Sequence, residues 1–384
     1  MKFIHLGDLH LGKIVNEFSM IEDQRYVLKK VVSIVEEKKL DAVVISGDVY
    51  DRSVPSEEAI KLYNAFLKKI VERGAKVFVI SGNHDSDVRT DFGNWMMEKC
   101  GVFVKGEYDG NAGKVTLTDE YGEIDFYLLP YVKASRVRSF YPDEKLPDYE
   151  SALKFAVDMC HANPSRRNVI LAHQFIAGKS SKPEFSGSEN DALSVGTIDM
   201  AGYDIFDDFD YVALGHIHSP QKVGRDTVRY AGSPLKYSLE DNEINKNKKF
   251  TIVNMKEKGN VEVELIDIEP LREVRHVKGR FKDILSNAVE KDDYIYATLT
   301  DEDTQYEAMA RLRESYPHIM KMDYDNTLTR HIEDDNLIET DGKSFVELMS
   351  DFFTFYRGDA PDDDEWEIIK KVAKDAGVIA DETN

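Results

Sequence analysis

Short apolar runs alternate with longer segments of helical period over the first half of the chain. The runs Lys2–Leu6, Ala42–Ser46, Lys76–Ile80, Asp125–Leu129, Asn168–Ala172 and Asp210–Leu214 read as strands, most of them followed at once by Gly or Pro. Between the first two, Ile21–Lys38 sets Val27, Val31, Ile34 and Val35 at helical spacing. After Pro55, Ser56 can cap a second helix carrying Ile60, Tyr63, Phe66, Leu67 and Ile70. Beyond Gly215 the pattern turns to strands, Thr227–Ala231, Phe250–Asn254 and Val261–Ile268, which predicts a strand-rich second sheet closing the domain.

Pro270 and the basic stretch Arg272–Lys282 mark a change of character. From there a strand–helix–strand–helix reading fits Val274–Val277, Phe281–Val289, Tyr294–Leu299 and Thr304–Tyr316, small enough for an accessory domain. A polar stretch, Glu333–Lys343, precedes two amphipathic segments, Ser344–Tyr356 and Asp363–Ala376, separated by Gly358 and Pro361. The first gathers Phe345, Leu348, Met349, Phe352 and Phe355 near one face, flanked by Phe353 and Tyr356. The second gathers Trp366, Ile369, Val372 and Ala373, with acidic residues at its start that suit the helix dipole. So many aromatic residues on short terminal helices predict docking into a partner's groove, with packing on the chain's own core as the alternative.

Composition bounds the function. At 384 residues two or three units are expected, and no apolar run approaches the ~20 residues that span a bilayer. No secretory pattern opens the chain, so the cytoplasm is the expected location. Cys100 and Cys160 match no metal or redox spacing and read as buried thiols. A net charge of -22 argues against a simple electrostatic binder of nucleic acid, although bound cations would reverse the sign locally. Arg136/Arg138, Arg166/Arg167 and Lys246/Lys248/Lys249 are candidates for a local basic track.

The chemistry sits where the strands stop. Five runs lead into Gly7-Asp8-Leu9-His10, Gly47-Asp48-Val49-Tyr50-Asp51, Gly82-Asn83-His84-Asp85, His173 and Gly215-His216-Ile217-His218. Sites in layered α/β folds form outside the carboxyl ends of strands, so the five should converge on one edge of the sheet. The glycines before Asp8, Asp48, Asn83 and His216 suit turns that bring backbone close to a site. Carboxylate, imidazole and amide donors without thiolate favour manganese, iron or zinc over calcium. Seven donors (Asp8, His10, Asp48, Asn83, His173, His216, His218) exceed what one open site needs, so a two-ion cluster for phosphoester hydrolysis is expected. Asp48, on the middle of the three leading strands, is the candidate bridge. His5, His161, His276, His318 and His331 lack such context and read as structural or surface groups.

The blocks GDLH, GDVYD, GNHD, Ala172-His173 and GHIH resemble the signature blocks of the calcineurin-like metallophosphoesterases. The Leu-Gly after His10 and Tyr230-Ala-Gly-Ser-Pro234 are most similar to the DNA-repair nuclease branch, the SbcD-type subunits. Protein phosphatases of the superfamily carry Arg-Gly after the second block and GNHE in the third, where Asp51-Arg52-Ser53 and Gly82-Asn83-His84-Asp85 stand here. The resemblance implies a two-sheet α/β/β/α sandwich over residues 1–269, a small α+β capping domain over 270–330, and a linker with partner-binding helices over 331–384. It implies one ion on Asp8, His10, Asp48 and His218, and a second on Asp48, Asn83, His173 and His216. Both would be manganese, with magnesium or iron as alternatives.

His84 would then stabilise the transition state of hydroxide attack without binding metal, and Asp85 would orient it. The activity implied is a 3'-5' double-strand exonuclease and a single-strand and hairpin endonuclease in DNA repair and recombination. Its expected partners are DNA, an SbcC-type coiled-coil ATPase held by the terminal helices, and a second copy of the chain. The dimer faces would be Ser56–Glu72 and Asp91–Glu98, with Tyr63, Phe66, Trp95 and Met96 either on such a face or in the core. The capping region would position duplex DNA through Arg272, Arg275, Lys278, Arg280 and Lys282, with a stabilising appendage as the alternative. The alternatives are a phosphodiesterase for cyclic nucleotides or other small esters, and a metal-free scaffold for DNA or a partner.

Overall fold

The computed structural model describes residues 1–178, 182–188, 200–288, 292–327, 344–357 and 359–375, without the side chains of 355–357 and 374–375. His331, the Glu333–Lys343 stretch, Gly358, Ala376 and the Phe355 and Tyr356 side chains thus lie outside the described residues. The chain divides into two units, one of Met1–His276 with Asp292–Tyr294, the other of Val277–Lys291 with Ile295–Asn384.

The first unit is built from β1 (Lys2–Leu6), α1 (Ile21–Glu37), β2 (Ala42–Ser46), α2 (Glu57–Glu72), β3 (Lys76–Ile80), β4 (Val102–Lys105), β5 (Gly113–Asp119), β6 (Gly122–Leu129), α3 (Tyr149–Asp158), β7 (Arg167–His173), β8 (Tyr211–Gly215), β9 (Gln221–Val223), β10 (Arg225–Tyr230), β11 (Lys249–Met255) and β12 (Val261–Asp267). One sheet has the order β12-β11-β1-β2-β3-β4 and the other β9-β10-β8-β7-β6-β5. β1, β2, β3 and β4 are parallel, as are β6, β7, β8 and β10. β2 is buried throughout and apolar but for Ser46, and the centre of β7, Val169 to Ala172, is likewise buried and apolar, as expected for parallel strands covered on both faces.

Alternate residues of the two sheets meet in a shared core: Phe3, Val44, Phe78 and Ile80 from the first, Phe126, Leu128, Val169, Leu171 and Tyr211 from the second. Phe78 and Phe126 stack across it with ring centroids 4.1 Å apart. On its far side the second sheet packs Ile170, Val212 and Leu214 with Leu153, Ala156 and Val157 of α3. The first sheet is covered by helix as well, since α2 packs on β3 and α1 packs on α2. Ser56 caps α2, its hydroxyl accepting from the Ala59 N–H at 3.2 Å.

Two expectations are corrected. The strands after Gly215 do not form a sheet of their own: β9 and β10 extend the sheet of β8, while β11 and β12 run antiparallel beside β1. β1 would otherwise be an open edge, and pairing with β11 removes it. Neither cysteine is fully buried, because Cys100 is exposed in the turn after the short helix Asn94–Glu98, and Cys160 is half-buried. Periodicity did not reveal β4, β5 or α3, whose apolar positions are fewer or interrupted.

The second unit takes part of β13 (Val274–Gly279) and β14 (Tyr294–Leu299), then α4 (Phe281–Ser286), α5 (Ala308–Ser315) and β15 (Ile319–Tyr324). Its core joins Phe281, Ile284, Ile295, Ala297, Leu299, Leu312 and Ile319. α5 is shorter than the Thr304–Tyr316 expectation because Glu307, at φ 49°, interrupts the helical path. Two further helices, α6 (Phe345–Arg357) and α7 (Asp363–Asp375), close the described chain. Each begins in a reciprocal capping box: Ser344 with Glu347, and Asp362 with Glu365. Phe352, Ile368 and Val372 stay exposed at 49%, 65% and 61%.

Phe78→Ala should cost about 3–5 kcal/mol in urea unfolding, because its ring fills the space between the sheets.

Candidate metal centre

The turns after β1, β2 and β3 carry Asp8 with His10, Asp48, and Asn83 with His84, while β7 and β8 deliver His173 and His216 with His218. The donors therefore come from both sheets, three turns from one and two from the other, rather than from a single sheet's edge. β2 lies between β1 and β3, which puts Asp48 at the middle. The sheets are tied at this end by hydrogen bonds, His173 Nδ1 donating to Ser46 O at 2.8 Å and His216 N–H to Asp8 Oδ1 at 2.9 Å.

The turns are strained. Asp8, His10, Asp48 and His216 have φ values of 52°, 43°, 50° and 98°, in the left-handed region that costs a non-glycine residue about 1–3 kcal/mol. Close approach accounts for two of the glycines. A Cβ on Gly82 would collide with the Asp48 carboxylate, and one on Gly215 with Ser46 O and the His173 ring.

All seven sequence-predicted donors meet here, in two sets. On one side His10 Nε2 lies 3.0 Å from His218 Nε2, and Asp8 Oδ1 is 4.0 Å from the latter. On the other, Asn83 Oδ1 lies 3.0 Å from His173 Nε2 and 2.9 Å from His216 Nδ1. Asp48 Oδ2 stands between them, 3.6 Å from His10 Nε2 and 3.4 Å from His173 Nε2. Asp8, His10, Asp48, His173 and His218 are all buried.

In His173 and His218 the second nitrogen is anchored elsewhere, which aims the first inward. His173 uses Nδ1 on Ser46, and His218 Nδ1 meets the Ser188 hydroxyl at 2.6 Å. Burial pushes His10 and His216 down to about 3, and His218 well below its usual range, so these imidazoles are neutral donors. Burial opposes a charge on His173 too, but the Asp48 carboxylate outweighs it and raises the ring to about 9. Asp48 stays far below the usual carboxylate range, because the imidazoles of His173, His10 and His84 overcome its own burial. The neutral imidazoles of His10, His216 and His218, facing a shared carboxylate and an amide oxygen, fit a pair of divalent cations that would take the place of the proton on His173.

The family model described as calcineurin-like phosphoesterase matches residues 1–220, more than half of the chain. The chain belongs to the calcineurin-like phosphoesterase family. A second family model, described as the type 5 capsule protein repressor C-terminal domain and labelled SbcD_C, matches residues 270–357. Over 359 residues the chain is 28% identical to the D subunit of the nuclease SbcCD from Staphylococcus epidermidis, covering 92% of each protein. Among solved structures, a dimetal phosphatase from Danio rerio is 11% identical, covers 70% of this chain and 99% of its own, and has a TM-score of 0.39. A Thermus thermophilus protein is 10% identical over 68% of this chain and 97% of its own, at a TM-score of 0.40. The family match and the similarity to a nuclease component make the chain a phosphodiester hydrolase that uses divalent metal ions.

Asp85 does not contact the His84 ring as expected. Its carboxylate instead accepts from the main-chain N–H groups of Val49, Tyr50 and Gly82 at 3.0, 2.9 and 3.0 Å, tying the second and third turns together. His84 is oriented by Asp51, whose carbonyl accepts from Nδ1 at 3.1 Å, and its own N–H donates to Asp48 Oδ1 at 2.9 Å. The substitution of roles is physical: three converging amides satisfy a buried carboxylate better than one imidazole.

Sequence reading missed Gln24, which donates from α1 to His10 O at 2.7 Å, and Tyr237, whose hydroxyl donates to Leu9 O at 2.7 Å. No local signal marks either. Two members of the basic track, Arg167 and Lys248, are corrected as well. Arg167 and Lys248 are buried in ion pairs with Asp119 and Glu243, and Arg166 with Arg136 pairs with Glu123 and Glu107. His5 is buried between Tyr211 and Ser46, in the structural role expected of it.

Gly82→Ala should weaken manganese binding to the purified apo chain by about 10–100-fold, read by calorimetric titration, because the new methyl group displaces Asp48.

Proposed function

We propose that this chain is a metal-dependent DNA nuclease subunit working with an SbcC-type ATPase in DNA repair and recombination. The observation that carries the reading is the division of seven donors into two sets joined through Asp48 Oδ2. Similarity to a nuclease component along 92% of the chain supports DNA as the substrate. Asp8, His10, Asp48 and His218 would hold one cation, and Asp48, Asn83, His173 and His216 the other, manganese in both places. Two such ions supply Lewis acidity to both the attacking and the leaving oxygen of a phosphodiester.

The chain's own residues do the rest. The Asp51 carbonyl accepts a hydrogen bond from Nδ1–H of His84 and leaves Nε2 for substrate. The protonated His84 ring would then donate its second proton from Nε2 to the phosphoryl oxygens or the departing sugar oxygen. Asp85 acts at one remove, by holding the turns that carry Asp48 and His84. The activity proposed is a 3'-5' double-strand exonuclease with single-strand and hairpin endonuclease action.

The region from residue 270 to 330 is proposed to cap the site and position duplex DNA. Of the five cations expected to do so, Arg280 and Lys282 are exposed, while Arg272, Arg275 and Lys278 are paired with Asp23, Asp293 and Asp325. α6 and α7 would grip the partner's coiled coil, a role supported by their exposed apolar residues. A homodimer is proposed through α2 and residues 91–98, where Phe92, Trp95 and Met96 are 84%, 62% and 50% exposed. Phe66 is buried and belongs to the core instead.

His84→Ala should keep two manganese ions per chain by elemental analysis. It should lose about 10²–10⁴-fold in cleavage of single-stranded DNA, and loss of both ions would refute the separate roles. With wild-type protein, cleavage of bis-p-nitrophenyl phosphate but of no DNA would indicate a small-ester enzyme. Truncation after Lys343 should abolish co-purification with the ATPase and leave metal-dependent cleavage of single-stranded DNA intact.

A further inference from the structure

Beneath His218 lies a buried ion pair that the chemistry above does not use. Lys248 is 5% exposed and Glu243 1%, and their charged ends are 2.5 Å apart. The Lys248 ammonium also donates to His218 O and to the Ser233 hydroxyl, both at 2.9 Å. An ammonium has three hydrogens to donate, and three acceptors surround this one. Ser233 adds its own N–H to His218 O at 3.1 Å, while its hydroxyl donates to Leu235 O at 2.7 Å. The two segments touch so closely that a Cβ on Gly232 would crowd His218 O and Pro220 N.

Such a pair is a poor way to gain stability. Desolvating two charges offsets most of their attraction, and apolar side chains of similar volume often serve at least as well. What the pair supplies is direction. We propose that Lys248, with Glu243, is a positioning residue that fixes the main chain of His218 so that its ring meets one cation of the centre. The proposal rests on the two-ion reading of the site.

The fold delivers Lys248 there by topology. It immediately precedes β11, which runs antiparallel to β1 with Thr251 opposite His5, so the start of β11 lies at the site end of the sheet. His218 is thereby held by Ser188 on its ring and by Lys248 and the Ser233 N–H on its backbone. Between them they set Nε2 at 3.0 Å from His10 Nε2. The other four-donor set, with Asn83, His173 and His216, has no contact with Lys248 among those described. Loosening Lys248 should therefore affect the two cations unequally.

The test is a manganese titration of the metal-free full-length chain by calorimetry, with circular dichroism to confirm folding. Wild type should bind two ions; if it binds fewer, the two-ion reading itself fails. The double variant Lys248→Met with Glu243→Gln leaves no buried charge unpaired. It should bind one ion as wild type does and the other about 10–100-fold more weakly. A folded double variant with both affinities unchanged overturns the proposal, as does an equal loss at both sites, which a general loss of structure would give. Should that variant not fold, Lys248→Arg decides by the same titration. Arginine keeps the pairing with Glu243, but its planar fork does not match three tetrahedral acceptors. A selective loss at one ion supports the proposal, and two wild-type affinities overturn it.

Discussion

Everything at the centre turns on one carboxylate. Asp48 sits between two imidazoles that belong to different sheets, and its other oxygen holds the main chain of the turn carrying His84. The parallel strands of each sheet bring their carboxyl ends to one side, and packing Phe78 on Phe126 brings the two sheets into register. A shift of the core between the sheets would separate His173 from Asp48. Folding and ligand geometry are here the same problem, because no single sheet contains a complete donor set.

Much of this was legible in the chain. The bounds of β1, β2 and β3 follow from apolar runs ended by Gly or Ser-Gly, and Asp8, His10, Asp48, Asn83, His216 and His218 lie just after runs of this kind, while His173 is the last residue of β7. Local chemistry carries that information: strand, tight turn, ligand. The assignment of strands to sheets was not legible, since pairing of β11 with β1 joins segments separated by most of the first unit. The same holds for Gln24, Tyr237 and Lys248, which reach the centre from an α-helix or from loops distant in sequence. Asp85 was misread for a related reason. Its place beside His84 in sequence says nothing about which groups its carboxylate meets in space, and main-chain amides of a distant turn claimed it.

The terminal helices show the opposite balance. Both helix starts are set by residues three positions apart, Ser344 with Glu347 and Asp362 with Glu365. Their apolar residues are only partly covered. Helical form is written locally there, while any use of the apolar face depends on a surface outside the described residues. A binding element ordered in advance gives up less conformational entropy on docking.

The left-handed turns at Asp8, His10, Asp48 and His216 narrow which sequences can occupy the centre. Aspartate, asparagine and histidine are the side chains most tolerant of that backbone after glycine, and they are also competent metal donors. Glutamate could offer the same carboxylate, yet it brings a longer reach and a poorer fit to φ near 50°. Each of these positions is thus filtered twice, once by the ion and once by the peptide backbone. Exchange of a donor for glutamate is correspondingly disfavoured, so new chemistry on this scaffold is more accessible through the residues around the donors than through the donors themselves.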